Sequence, residues 1–284
     1  MKIKFVAVTL ICIASLRGLS QPVTKQYWFE PVEPGQILGW KNPCYDYSDL
    51  FAPNAPWAQA ANHINVFFIA NPEYISDTLL GQMITFLKQH NIKLGISFGP
   101  LFPEGNCGWD VEGFSGGVGQ WSDWADKIAQ LGGTLDIINF DEPYMGAHYN
   151  NGPHACHWPL EKIALKLDEF IQGMRAKLPN VEFWDNELLN PSDTLIDFNA
   201  YKTWLDTFKL VNGYPMPGLN VEFWSSQPNA YDQLKSLETY TKQQGIPFGV
   251  MYNSSNPNKP NTNAGWLNDW HSDWSDQWCF CWRA

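Results

Sequence analysis

The sequence is poor in charge, and poorer still in positive charge. Charged residues make up 17% of 284, with 29 Asp and Glu against 18 Lys and Arg, for a net charge of −11. Nucleic acid and anionic membrane surfaces need Lys and Arg against their phosphates, so both are excluded as partner classes. Also missing is an apolar run of the ~20 residues that a spanning helix needs. The nearest approach is Phe5 to Leu16, preceded by Lys2 and Lys4 and followed by the small residues Gly18 and Ser20. That layout predicts a signal peptide over residues 1–20, cleaved after Ser20, and hence a secreted or periplasmic chain. No glycine-rich phosphate loop follows the first strand-like segment, which argues against a nucleotide-binding doubly wound sheet. No Gly-x-Ser-x-Gly elbow occurs, which argues against an esterase. Linkers and low-complexity tracts are absent too, so residues 21–284 read as one domain.

Aromatic residues, by contrast, are abundant at 15% of the chain. In an exported acidic protein they suggest carbohydrate as the partner, because aromatic faces pack on the C–H faces of sugars while polar neighbours bond the hydroxyls. A large core is the other use for such rings. Trp266, Trp270, Trp274, Trp278 and Trp282 recur every fourth residue, a stripe suited to packing against the rest of the fold. Export permits disulfides, and five cysteines follow the cleavage site: Cys44, Cys107, Cys156, Cys279 and Cys281. An odd count leaves at least one unpaired in a monomer, the expected state.

Strand-like and helix-like segments alternate along the chain. The strand candidates are 26–32, 64–70, 92–99, 135–140, 181–186, 219–224 and 246–252, most of them near-continuous apolar runs. Such runs mark parallel strands covered on both faces. Helix candidates lie between them at 76–91, 121–133, 159–179, 200–211 and 229–245. The first opens on Ser76, a good N-cap. The third carries apolar residues at 160, 163, 164, 167, 170, 171 and 174, a stripe of 3.6-residue period. The α/β pattern predicts a (β/α)8 barrel with seven clear strands and an eighth in the terminal WCFCW. NVEFW at 180–184 returns at 220–224 and predicts neighbouring strands in equivalent positions.

Chemistry in such barrels gathers at the C-terminal ends of the strands. Strand four runs through LDIINF and stops on Asp141, Glu142 and Pro143. Adjacent carboxylates repel, and their surroundings can push their pKa values apart, so that one serves as an acid while the other stays charged. Strand five ends in Asp185, Asn186 and Glu187, strand six carries Glu222, and strand seven ends in Tyr252 and Asn253. Trp184, Trp224, Tyr144 and Tyr252 flank these groups as candidate sugar-stacking rings, with Asn253, Asp185 and His148 as further substrate-binding candidates. Glu182 reads as an ion-pair partner at least as well as a catalytic group. Glycosidases commonly work with two carboxyl groups, and Glu187 and Glu222 are the candidates for the second.

On these residues the chain resembles a glycoside hydrolase of the barrel type. The segment DIINFDEP resembles the strand-four signature of hexosaminidases and chitinases. The resemblance extends to the architecture and this one motif and assigns no particular family. It implies that Glu142 is the general acid and Asp141 the residue that orients the substrate. No cofactor is implied. A carbohydrate-binding barrel without turnover is the alternative, and a metal-dependent hydrolase using His154 and His157 is a third.

Two loop readings complete the picture. Cys107 follows strand three and Cys156 follows strand four, so a barrel sets them side by side, and a Cys107–Cys156 disulfide is predicted. The glycine-rich stretch 112–120 lacks the ending of a phosphate loop and is expected to be a flexible loop over the site.

Overall fold

A computed structural model describes residues 26–31, 47–52, 55, 57–70, 72–190, 193–223 and 229–251. The expected leader, the tryptophan-rich tail, Cys44, Cys279, Cys281, Trp224, Tyr252 and Asn253 lie outside these residues. Among the described residues seven strands form one parallel sheet in strict chain order. They are β1 (Trp28–Phe29), β2 (Val66–Ile69), β3 (Lys93–Phe98), β4 (Ile137–Asp141), β5 (Glu182–Leu189), β6 (Leu219–Phe223) and β7 (Phe248–Met251). The helices are the short α1 (Ala58–Ala61), then α2 (Asp77–Gln89), α3 (Gly117–Gln130), α4 (Leu160–Lys177), α5 (Phe198–Asn212) and α6 (Ala230–Gln244). From β2 onward each strand is followed by a helix up to β7, and sequential parallel order with one helix per crossover is the topology of a (β/α) barrel. Among the described residues no helix is long and apolar enough to cross a membrane.

The sheet is curled. In a flat sheet at ~4.8 Å per strand, β1 and β5 would stand about 19 Å apart. Instead the rings of Trp28 on β1 and Trp184 on β5 meet edge to face, centroids 4.9 Å apart. With Val66, Phe68 and Ile137 they form a compact apolar cluster on the concave face. Above it the concave face turns polar. Asn139 Nδ2 donates to Ser97 Oγ at 3.1 Å, and Asn220 Nδ2 donates to Asn139 Oδ1 at 2.9 Å, tying β3, β4 and β6 through buried amides. These bonds are what makes burial of three polar side chains tolerable.

Alternate residues of the same strands face the helices. Phe67, Ile69, Leu94, Ile96, Phe98, Ile138, Phe140, Phe183, Leu219 and Val221 belong to one large core with the helix stripes. On α4 the expected stripe is the buried one: Ile163, Ala164, Leu167, Phe170, Ile171 and Met174. Each of the larger side chains contributes about 1.5–3 kcal/mol on burial, so this outer layer carries most of the hydrophobic stabilisation. Ser76 caps α2 as expected, its Oγ accepting from Leu79 N at 3.3 Å, and Asp197 caps α5 through Ala200 N at 2.9 Å. Gly213 and Gly245 close α5 and α6 in the left-handed conformation.

The two NVEFW copies are on neighbouring strands but not in equivalent positions. Glu182 opens β5, while Glu222 stands opposite Leu188 near that strand's other end. Glu182 pairs with Lys93 at 2.7 Å on the exposed rim at the base of the sheet. The shared pentamer therefore reflects strand propensity and not a shared role. The glycine-rich stretch also differs from expectation. Gly117 to Gln120 form the first turn of α3, and the preceding residues pair with Leu101, which donates to Gly113 O at 2.9 Å and accepts from Ser115 N at 2.8 Å. It is a packed wall, not a loose flap.

Candidate active site at the barrel mouth

Asp141 is the last residue of β4, and its side chain shares the concave face with Asn139 and Asn186. Glu142 leaves the strand through a left-handed backbone, φ 49°, a conformation non-glycine residues seldom adopt. Its neighbours hold that turn. Glu142 N donates to Asn186 O at 2.8 Å, extending the β4–β5 ladder by one rung. Its carbonyl accepts from Gly146 N at 2.8 Å, opening the π-helical stretch Met145–Tyr149. Backbone strain of this kind concentrates at functional sites.

The loop after β3 packs directly onto this turn. A Cβ on Gly113 would meet Glu142 O at 2.8 Å, and one on Gly146 would meet Glu112 O at 1.7 Å. Glycine at both positions lets the two loops touch. The contact brings Glu112 against Glu142, so that four carboxyl groups converge at the mouth: Glu112, Asp141, Glu142 and Glu222. Asn186 completes the group, its Nδ2 donating to Glu222 Oε1 at 3.1 Å.

Burial and the neighbouring carboxylates raise the affinity of Asp141 and Glu142 for protons. Glu142 is buried, its Oε2 is without a hydrogen-bond partner, and its carboxyl is pushed up to about 11 by burial first and by Glu112, Glu222 and Glu187 after it. Its proton is held more tightly than that of an ordinary carboxyl group. Asp141 is raised to about 7 by burial and then by the charges of Glu222 and Glu112, with the Asn186 hydrogen bond pulling the other way. The pair therefore splits into a held proton and a group that titrates near neutrality. One can donate a proton while the other exchanges one or bears charge.

The remaining expected site residues are placed as follows. Glu187 is on the opposite, helix-facing side of β5 and fully buried. Its Oε1 accepts from Tyr144 N at 2.7 Å and its Oε2 from Met145 N at 3.2 Å, which makes it the cap of the π-helical stretch. Burial raises its pKa, with the charge of Asp185 second, while those two backbone donors lower it. Asp185 shares that side and accepts from Trp204 Nε1 at 2.8 Å; burial raises its carboxyl to about 7. Tyr144 is 3% exposed, its ring between Trp204 and His148 and its hydroxyl donating to Leu195 O at 2.6 Å. Trp184 is 4% exposed inside the barrel against Trp28. Neither ring offers a free face to a ligand. His148 Nδ1 donates to Trp158 O at 2.7 Å, and its ring stacks on Tyr144.

Cys107 and Cys156 are joined by a disulfide, their Cα atoms 4.9 Å apart. The pair links the loops after β3 and β4, as the barrel order requires. Gly108 N donates to His154 O and His154 Nδ1 donates to Asn106 O, both at 2.9 Å, along the same seam. Among the described residues no group of three or more His, Cys, Asp or Glu is arranged to hold a metal ion.

Sequence reading missed Glu112. Its place in the loop after strand three, in a barrel whose loops meet at one end, is the signal that could have found it. The loop also carries two open aromatic rings, Trp109, 53% exposed, and Phe102, 62% exposed.

No known family model matches the chain, and no curated protein matches it. Solved structures similar to it include an α-L-arabinofuranosidase from Thermotoga maritima, with a TM-score of 0.47 at 11% identity, covering 84% of this chain and 58% of that one. Xylanase 10B from Thermotoga maritima matches with a TM-score of 0.45 at 10% identity, over 81% and 69% of the two chains. D-psicose 3-epimerase from Clostridium cellulolyticum H10 matches with a TM-score of 0.45 at 11% identity, over 80% and 84%. Likeness of this degree, with TM-scores below 0.5, does not choose among these activities.

Proposed function

We propose that the chain is an exported glycosidase that cleaves glycosidic bonds in a poly- or oligosaccharide by carboxyl-group acid–base catalysis. The observation that carries this reading is the convergence of carboxyl groups at the mouth of the barrel, Asp141 and Glu142 with Glu222 and Glu112 beside them, where burial and neighbouring charge raise Glu142 further than Asp141. Glu142 delivers its proton to the glycosidic oxygen as the bond from that oxygen to the anomeric carbon breaks. Asp141 orients the substrate and tunes Glu142. Glu222 serves as the second carboxylate, base or nucleophile, because it shares the concave mouth with Asp141, whereas Glu187 lies behind the sheet capping backbone. Water supplies the hydroxyl that ends on the anomeric carbon. The hexosaminidase-like assignment of Glu142 as acid fits this division of roles.

Glu142→Gln removes the transferable proton and keeps size and polarity. Assayed by released reducing sugar on a panel of polysaccharides and aryl glycosides, the parent is expected to turn over at least one substrate. The variant is expected to lose about 10²–10⁴-fold in rate while keeping the ligand. A parent that binds saccharide with no turnover on any member of the panel points to the non-catalytic carbohydrate-binding barrel. Export is tested by N-terminal sequencing of the chain outside the cell, which should begin at Gln21.

A further inference from the structure

Between the loop after β3 and the π-helical stretch after β4 lies a cavity of about 370 Å³, bounded by Asp110 and Glu112 on one side and Met145, Tyr149, Asn150 and Asn151 on the other. That volume is at the small end of ligand sites, which run ~300–1,000 Å³. Its walls are held from several directions. The Cys107–Cys156 disulfide and the Gly108–His154 and Asn106–His154 hydrogen bonds clamp the outer seam. The Gly113 and Gly146 contacts lock the inner one, and Tyr149 donates its hydroxyl to Asp193 at 2.6 Å. Asp110 is held, like Glu142, in the left-handed region, φ 55°. Glu112 lines the cavity and also touches Glu142, whose buried Oε2 lacks a partner. The cavity therefore adjoins the proton donor.

We propose that this cavity is a sugar subsite of the glycosidase, resting on the reading above, and that it selects rings bearing hydrogen-bond donors and no anionic group. Among the described residues its polar wall consists of carboxylate acceptors, amides and a phenol, with no Lys, Arg or His to receive a uronate or sulfate. Hydroxyls, or a protonated amine, donate to Asp110 and Glu112, and Asn150 and Asn151 bond what remains. An anionic ring would meet two carboxylates without a counterion, a like-charge contact that costs affinity. Trp109, next to Asp110 in the chain, has its indole Nε1 donating to Gly105 O at 3.0 Å and stays half exposed. It offers a platform beside the entrance.

The test uses the full chain carrying Glu142→Gln, so that turnover does not consume the probe, with titration calorimetry at fixed ionic strength. The probes are neutral xylo-, cello- and galacto-oligosaccharides, a glucosamine oligomer and oligogalacturonate. At least one neutral or amine-bearing probe is expected to bind, with oligogalacturonate at least about tenfold weaker. The neutral and amine arms distinguish the two sources of donors. Adding Asp110→Asn, which tolerates the same backbone, should weaken the best probe about tenfold, as for loss of a charge-assisted hydrogen bond. Asn151→Ala should weaken it less, and unfolding midpoints should be unchanged in both. Oligogalacturonate binding as tightly as the best probe, or indifference of that probe to both substitutions, overturns the subsite and leaves the glycosidase reading standing. Saccharide binding that depends on Asp110, in a parent chain that never turns over, overturns the glycosidase reading and keeps the subsite as that of a binding protein. Failure of every probe to bind overturns both.

Discussion

Asp141 shows at the scale of one residue how the mouth trades stability for chemistry. Its carboxyl is raised from 3.8 to about 7, by burial first and then by Glu222 and Glu112. Folding thus favours the protonated form. The stabilising share of that preference is intact below about pH 4 and is lost as pH rises through 7. Asp141→Asn carries no ionisable group there and escapes the loss. The other raised carboxyls are common to both proteins and largely cancel in the difference. The parent is therefore expected to lose more stability than the variant between pH 4 and 7. At pH 8 the variant should be the more stable by about 2 kcal/mol, less than the full shift implies because Asp141 stays partly open to water. Thermal unfolding by circular dichroism at stepped pH measures this, and parallel pH slopes for the two proteins would contradict it. Turnover should fall in the same variant, the usual cost of stabilising a functional site.

Elements were legible where periodicity alone decides them and illegible where a neighbour decides. All seven strand candidates are strands, and the α4 stripe and the Ser76 cap are where the pattern put them. The end of β5 is not. Asp, Asn and Glu disfavour strands, so 185–187 read as the exit onto a loop, yet β5 continues to Leu189. Trp204 Nε1 and the backbone N–H groups of Tyr144 and Met145 give Asp185 and Glu187 buried partners, and tertiary bonding overrides propensity. Alternation along the strand tells that these two share a face. Only Asp141 across the ladder, opposite Asn186, tells which face looks into the mouth. Glu112 was hidden for a like reason, since the close approaches of Gly113 to Glu142 and of Gly146 to Glu112 bring it in. If Glu187 is a cap, Glu187→Ala strands two N–H groups and should cost about 2–4 kcal/mol in urea unfolding, with Glu187→Gln costing less because its amide oxygen still accepts. Its remaining activity should track the folded fraction. A Glu187→Gln protein that unfolds like the parent but has lost turnover would return Glu187 to the catalytic group.

For the whole molecule the same question of facing settles what the barrel is filled with. Trp184 was a candidate sugar platform because it precedes the acidic strand end, but strand parity points it into the interior, where it meets Trp28 across the curl of the sheet. The two roles have opposite consequences. A stacking ring at an open mouth can be removed with little effect on folding and a clear loss of saccharide affinity. A ring that joins β1 to β5 leaves a void when truncated, in an interior whose other walls are Val66, Phe68 and Ile137 and whose upper layer is fixed by the Ser97–Asn139–Asn220 amide chain. The upper layer is expected to hold its hydrogen bonds and not sink into the void, because each broken bond would leave a buried polar group unpaired. Trp184→Ala should therefore destabilise by about 3–5 kcal/mol in urea unfolding, the range for a large core aromatic. The folded variant should retain its affinity for the best oligosaccharide probe to within about twofold, since an affinity change of 1.4 kcal/mol would already be tenfold. A variant of parental stability with weakened binding would place Trp184 at the sugar and refute the aromatic-plugged interior on which the placement of the acidic mouth rests.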